Sequence, residues 1–156
     1  MSRPRSAPLL LVCSSGGHLM QMHALREAWE SYDRVWVTFD KSDARSLLAG
    51  EQVVHAFGPT NRNIPNMLRN LRLAFRVLRT VRPAAIMTTG AGVAVPFAWV
   101  GRMLRVPTIY IESFTRMNEL SLSARMIAPV ARRVYAQWPE LTGRRGAVFA
   151  GNVFAE

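Results

Sequence analysis

Seven short apolar runs alternate with five helix-like stretches along this chain, and that alternation restricts the fold more than any other feature. The strand-like runs are Leu9–Cys13, Arg34–Phe39, Gln52–Phe57, Ala84–Thr88, Thr108–Glu112, Arg133–Ala136 and Ala147–Ala150. The helix-like runs are Leu19–Ser31, Asp43–Ala49, Ile64–Val81, Val93–Leu104 and Leu120–Ala131. Strands this short and apolar, the first five each followed by a helix, need cover on both faces. The expected fold is therefore α/β: a Rossmann-like, mainly parallel sheet with helices on both faces. Proline and glycine mark the joints at Gly58-Pro59, Arg82-Pro83, Gly90-Ala91-Gly92, Val106-Pro107 and Trp138-Pro139. Ligands of such sheets bind beyond the carboxyl ends of the strands. That rim would collect Ser14–His18, Asp40–Asp43, Gly58–Asn63, Thr89–Gly92 and Glu112–Arg116. At 156 residues the chain suits one domain, residues 1–156, and is too short for two ordinary ones.

The first rim segment is the most distinctive. The run Leu9–Cys13 stops at Ser14-Ser15-Gly16-Gly17-His18, and a helix-like stretch follows. Strand, glycine turn and helix together expose backbone N–H groups that can bind an anion. Glycine lets the backbone approach a ligand closely, since no Cβ intervenes. His18 would stand beside that site with a ring nitrogen suited to proton transfer near neutral pH. The same glycines also serve as plain turn chemistry, so the motif alone leaves both readings open.

The net charge is +10, and Lys41 is the only lysine, so the excess is almost all arginine. A basic surface suits anionic lipid or phosphorylated substrates. Nucleic acid is not expected, because no helix-turn-helix, zinc-finger spacing or RNA-binding aromatic motif is present. The single cysteine, Cys13, has no intrachain partner, which fits a reducing compartment. No apolar stretch approaches the roughly 20 residues of a membrane span. Arg3 and Arg5 ahead of the first apolar run resemble a signal peptide, but that run is too short and ends in a glycine turn. A cytoplasmic location is expected.

The stretch Ile64–Val81 carries Arg69, Arg72, Arg76 and Arg79 at spacings of three and four, on one helix face. Met67, Leu68, Leu71, Ala74, Phe75, Leu78 and Val81 form the opposite apolar face, with Leu73 and Val77 extending it toward the basic side. One reading is an ordinary amphipathic helix with solvated arginines. The other is a membrane-surface helix whose arginines meet anionic headgroups. The nearly all-apolar stretch Val93–Leu104, with Phe97 and Trp99, reads as core. An exposed part of it would mark a membrane or partner surface.

Several motifs carry a family resemblance. They are Ser14-Ser15-Gly16-Gly17-His18, Thr38-Phe39-Asp40-Lys41-Ser42-Asp43-Ala44, Asn61-Arg62-Asn63 and Thr89-Gly90-Ala91-Gly92. Tyr110-Ile111-Glu112-Ser113-Phe114-Thr115-Arg116, Leu120-Ser121-Leu122-Ser123 and Gln137-Trp138-Pro139-Glu140-Leu141 complete the set. In order and spacing they resemble the membrane-anchoring subunit of the eukaryotic two-subunit N-acetylglucosaminyltransferase of lipid-linked oligosaccharide synthesis. They are closer still to bacterial exopolysaccharide relatives of the PssD type. That family is similar to the N-terminal, acceptor-side half of MurG-like glycosyltransferases with the GT-B fold.

The resemblance implies half an enzyme. The donor-binding half would be a separate glycosyltransferase subunit, and the acceptor a saccharide on polyprenyl diphosphate. By residue type and place on the rim, His18 is the candidate catalytic base, and Ser15, Gly16, Gly17, Asn61, Arg62, Gly90, Gly92, Glu112 and Arg116 are the candidate substrate-binding residues. The sequence departs from the eukaryotic subunit in lacking an N-terminal span. The arginine helix or the partner would then hold it peripherally on the inner face of the plasma membrane.

Transfer from a UDP-sugar needs a base for the acceptor hydroxyl and neutralisation of the departing diphosphate. His18 fits the base, or merely caps its helix. The glycine turn fits a diphosphate. Glu112 would orient a sugar hydroxyl or an interdomain contact, or form a structural ion pair with Arg116. Asp40 and Asp43 read as caps of the short helix after them, not as metal ligands; neither metal nor cofactor is expected. His23 and His55 read as structural. A stand-alone nucleotide-binding Rossmann protein and a noncatalytic recruiting scaffold remain the alternatives.

Overall fold

The computed structural model describes residues 6–155, so Arg3 and Arg5 lie outside the described residues. Among the described residues, seven strands form one all-parallel sheet: β1 (Leu9–Cys13), β2 (Arg34–Thr38), β3 (Val53–His55), β4 (Ala85–Gly90), β5 (Thr108–Ile111), β6 (Arg133–Ala136) and β7 (Val148–Phe149). Their spatial order is β3-β2-β1-β4-β5-β6-β7. Between them run α1 (Gly17–Ala24), α2 (Arg26–Trp29), α3 (Ser42–Leu47), α4 (Ile64–Val81), α5 (Ala94–Met103) and α6 (Leu122–Ile127).

Strand periodicity divides the core into two layers. Leu10 and Val12 of β1 face one side, where Leu73, Ala74, Val77 and Leu78 of α4 join α5 and α6. Leu11 and Cys13 face the other, where Leu19 and Met22 of α1 pack with Trp29 of α2 and Ala44 of α3. Burial pushes the Cys13 thiol up to about 12, so it stays protonated in the folded chain.

Several elements depart from expectation. The stretch Leu19–Ser31 is two helices meeting at Leu25, because the Met22 carbonyl accepts from Leu25 N and from the Trp29 indole (2.9 Å). That carbonyl is drawn away from the i+4 ladder, so the helix breaks. The last strand shrinks from Ala147–Ala150 to Val148–Phe149, and the last helix from Leu120–Ala131 to Leu122–Ile127. Ser121 sets the start of α6 by accepting from Ala124 N at 3.1 Å, and Leu120 instead joins the core.

A further departure concerns α4. Its length is as expected, capped by Asn63, whose Oδ1 accepts from Asn66 N at 2.9 Å, and ended by left-handed Arg82 before Pro83. Its buried side differs: Asn66, Asn70, Leu73, Ala74, Val77 and Leu78 face inward, while Met67 and Leu68 are exposed. The helix is turned by its asparagines. Asn70 accepts from Phe57 N and donates to Phe57 O, both at 2.9 Å, and Asn66 donates to Pro59 O at 2.9 Å. The loop after β3 carries backbone groups that need partners, and these two side chains supply them.

Gly101 tests this packing. A Cβ there would lie 2.6 Å from Ile86 Cδ1 and 3.2 Å from the Val106 carbonyl oxygen. Glycine to alanine inside a helix ordinarily gains about 0.5–1 kcal/mol. Gly101→Ala should instead lose about 1–3 kcal/mol by overpacking. Urea unfolding would show a lower midpoint at unchanged slope.

Candidate active site

β1 and β4 are neighbours, yet the chain leaving β1 continues to β2 and β3 while that leaving β4 runs the other way. The gap beyond their carboxyl ends is a topological switch point, where ligands of open α/β sheets collect. Gly16 turns the chain there with φ 76° as the N-cap of α1, and His18 lies in the first helical turn. His18 Nδ1 is 2.7 Å from the Thr89 carbonyl oxygen, and Thr89 Oγ1 donates to the His18 carbonyl at 2.7 Å. A carbonyl only accepts, so Nδ1 carries the hydrogen and the neutral ring keeps its lone pair on Nε2. The ring is half-buried.

The rim glycines have packing reasons of their own. Gly90 has φ 104°, and a Cβ there would stand 2.7 Å from the Tyr110 hydroxyl and 3.5 Å from His18 Cε1. At Gly92 a Cβ would come within 3.0 Å of Thr60 Oγ1. Bare backbone thus lets the loops after β1, β3, β4 and β5 close together. Asn61 and Arg62 are exposed on the loop after β3, with Arg62 at φ 49°; Ser15 is half-buried.

Asp43 does not cap α3, and neither does Asp40. Asp43 Oδ2 accepts from Gly16 N at 2.6 Å, so a carboxylate occupies one amide of the glycine turn. Gly17, His18 and Leu19 contribute the remaining first-turn amides, which have no intrahelical acceptor. Asp40 pairs with Arg45 at 2.6 Å, and that hydrogen bond lowers its carboxyl below the usual range.

Glu112 is fully buried and forms no ion pair with Arg116 among the described residues. Its Oε1 accepts from Ser113 N (2.7 Å) and the Tyr110 hydroxyl (3.2 Å), and its Oε2 from Ser121 N (2.8 Å). The carboxylate therefore organises the 113–120 loop, on which Arg116 is exposed. Burial first, and the Glu112 charge second, raise the Tyr110 phenol well above its ordinary range. Gln21 was not signalled by the sequence. It is buried on α1, donates to Glu112 O at 2.7 Å and accepts from Phe114 N at 3.0 Å. A polar residue on the inward face of a predicted helix was its one available signal.

Two surfaces flank this site. Arg69, Arg72, Arg76 and Arg79 are all exposed on α4, beside exposed Ile64 and Leu68; Trp99 and Met103 of α5 and Leu122 and Met126 of α6 are exposed on the same layer. Among the described residues no helix is long and apolar enough to cross a membrane. At the C-terminal segment, Phe154 packs edge-on against Phe114 (5.2 Å), which leans on Trp138 (5.4 Å). Next to it, Ile109, Ile111, Tyr135 and Val153 help line an open apolar cavity of about 550 Å³. His18 does not line it, so the cavity and the switch point are separate features.

Comparison with known proteins places these features in context. The family described as "Oligosaccharide biosynthesis protein Alg14 like" matches residues 59–153. The chain is similar to the UDP-N-acetylglucosamine transferase subunit ALG14 of Candida albicans, at 25% identity over 85% of this chain and 71% of that protein. The human subunit of the same name is 23% identical over 87% of this chain and 77% of its own length. Among solved structures, Acinetobacter baumannii MurG superposes with a TM-score of 0.72 at 17% identity, covering 93% of this chain. Neisseria meningitidis UDP-GlcNAc 2-epimerase gives 0.72 at 11% identity and 93% coverage. The chain spans only 45% and 47% of those two structures, and at such identity they establish the fold alone.

The Glu112 arrangement predicts a local instability. In Glu112→Gln, the amide nitrogen cannot accept, so one buried donor loses its partner, at a cost of about 2–3 kcal/mol. Thermal unfolding should shift down, and limited proteolysis should cut the 113–120 loop first.

Proposed function

This chain belongs to the Alg14-like oligosaccharide biosynthesis family, and on that premise we propose that it is the acceptor-side subunit of a two-component glycosyltransferase. It works with a separate donor-binding subunit to move a sugar from a UDP-sugar to a saccharide on polyprenyl diphosphate. The observation carrying this reading is His18 at the β1/β4 switch point with its Nε2 lone pair fixed by Thr89.

In the proposed reaction His18 Nε2 takes the proton from the acceptor hydroxyl. The freed oxygen attacks the anomeric carbon, the bond from that carbon to the diphosphate oxygen breaks, and UDP leaves with the electron pair. Arg62 and Arg116, both exposed on rim loops, supply positive charge toward a diphosphate. So do the first-turn amides of α1, with Asp43 yielding its hold on Gly16 N. Ser15, Gly16, Gly17, Asn61, Gly90 and Gly92 shape the floor, and Glu112 acts by holding the Arg116 loop. Half a cleft cannot exclude water or clamp both substrates. The partner docks at Trp138–Phe154 and the adjoining apolar cavity, a surface rich in exposed aromatic and aliphatic groups.

The membrane surface is the second element. Exposed arginines beside Ile64 and Leu68 match an interfacial helix, whose cations meet anionic lipid while apolar side chains enter the boundary. This supports peripheral attachment at the inner face of the plasma membrane.

The purified chain alone should show negligible transfer, and the reconstituted pair robust transfer. His18→Ala in that pair should lower turnover by roughly 10²–10⁴-fold, the range of general-base loss. Full activity of His18→Ala would leave a recruiting scaffold as the reading.

Vesicle co-sedimentation tests the arginine face. Changing Arg69, Arg72, Arg76 and Arg79 to glutamine should weaken binding to anionic vesicles by about 1 kcal/mol per residue. Wild-type binding should also fall with salt, as the Debye length shrinks from about 10 Å at 0.1 M to about 3 Å at 1 M. Equal binding by both proteins would leave the arginines as a solvated face.

A further inference from the structure

β4 contains one residue more than its neighbour. Val12 pairs with Thr88, but the next residue, Cys13, pairs with Gly90, so Thr89 is the extra residue of a bulge. Bulges re-aim a residue out of the ladder and recur beside active sites. Thr89 is fully buried, and both of its redirected oxygens meet His18: the carbonyl oxygen faces Nδ1, and Oγ1 donates to the His18 carbonyl. The bulge is braced on either side. Thr88 Oγ1 accepts from Gly90 N at 3.0 Å, and the left-handed Gly90 leaves room for the Tyr110 hydroxyl, which a Cβ would meet at 2.7 Å.

We infer that Thr89 is the positioning residue of His18: its bulge holds the imidazole in one tautomer and one orientation, with Nε2 free to accept a proton. The inference rests on His18 being the general base proposed above. An unrestrained neutral imidazole exchanges between two tautomers, and only the one protonated on Nδ1 has the lone pair on Nε2. Thr89 supplies the acceptor that selects it. The hydroxyl clamps the two backbones so that this acceptor stays in place. Valine has the same shape without the hydroxyl; serine keeps the hydroxyl without the methyl. The Thr89 hydroxyl and carbonyl both hydrogen-bond to His18, and Thr89 acts through it.

The test pairs a spectroscopic readout with a kinetic one. Nitrogen-15 NMR of the ring, on the full chain at a pH where His18 is neutral, should show protonated Nδ1 and bare Nε2 in wild type. Thr89→Val should mix the tautomers and lower kcat of the reconstituted pair by roughly five- to tenfold, the scale of one lost neutral hydrogen bond, with KM unchanged. Thr89→Ser should restore both. A wild-type ring protonated on Nε2 overturns the inference, and so does a Thr89→Val protein with unchanged tautomer and kcat. If His18→Ala is inactive while Thr89→Val behaves as wild type, the positioning role alone falls. Full activity of His18→Ala removes the base assignment and the positioning role with it.

Discussion

Two parallel strands that lie side by side but send their chains in opposite directions leave a gap at their carboxyl ends. In this protein the strands are β1 and β4, and two hydrogen bonds of 2.7 Å between His18 and Thr89 cross the gap. Much of the rim depends on that crossing. It ties the first turn of α1 to the end of β4, and the bulge at Thr89 makes it geometrically possible. Gly90 then brings the Tyr110 hydroxyl close, and Tyr110 leads to Glu112 and the loop beyond β5.

Several buried polar groups hold irregular backbone in place. Glu112 satisfies Ser113 N and Ser121 N, Gln21 bridges Glu112 O and Phe114 N, and Asn70 satisfies both backbone groups of Phe57. Where loop backbone packs against the rim, side chains from neighbouring elements pair with its amides and carbonyls. The rim loops are thereby held by the helices and strands beneath them. Exposed Arg62 and Arg116 project from loops whose bases are fixed in this way.

Charge and apolar surface are distributed unevenly around this frame. The α4–α6 layer combines exposed arginines with exposed Ile64, Leu68, Trp99 and Leu122, whereas the opposite face leaves an apolar cavity over β5 and β6. Exposed apolar groups at two separate places suit a protein with two contacts, one to an interface and one to a partner. The proposed membrane surface and partner surface occupy different sides of the sheet, so both can be engaged at once.

The α/β class, the parallel sheet and the gathering of the glycine turns on one rim are legible in the chain's own pattern. Those follow from local periodicity and turn chemistry, which act over a few residues. The same pattern puts His18, Gly90 and Glu112 on that rim. What each of them touches depends on how distant segments meet in the fold. Glu112 pairs with backbone amides instead of Arg116, Asp43 takes Gly16 N instead of capping a helix, and α4 buries two asparagines where the apolar pattern favoured Met67 and Leu68. Thr89 and Gln21 acquire their roles only when residues 71 and 91 positions apart come together. Hydrogen-bond demand of buried backbone is a property of the folded neighbourhood, and no local pattern in the chain records it.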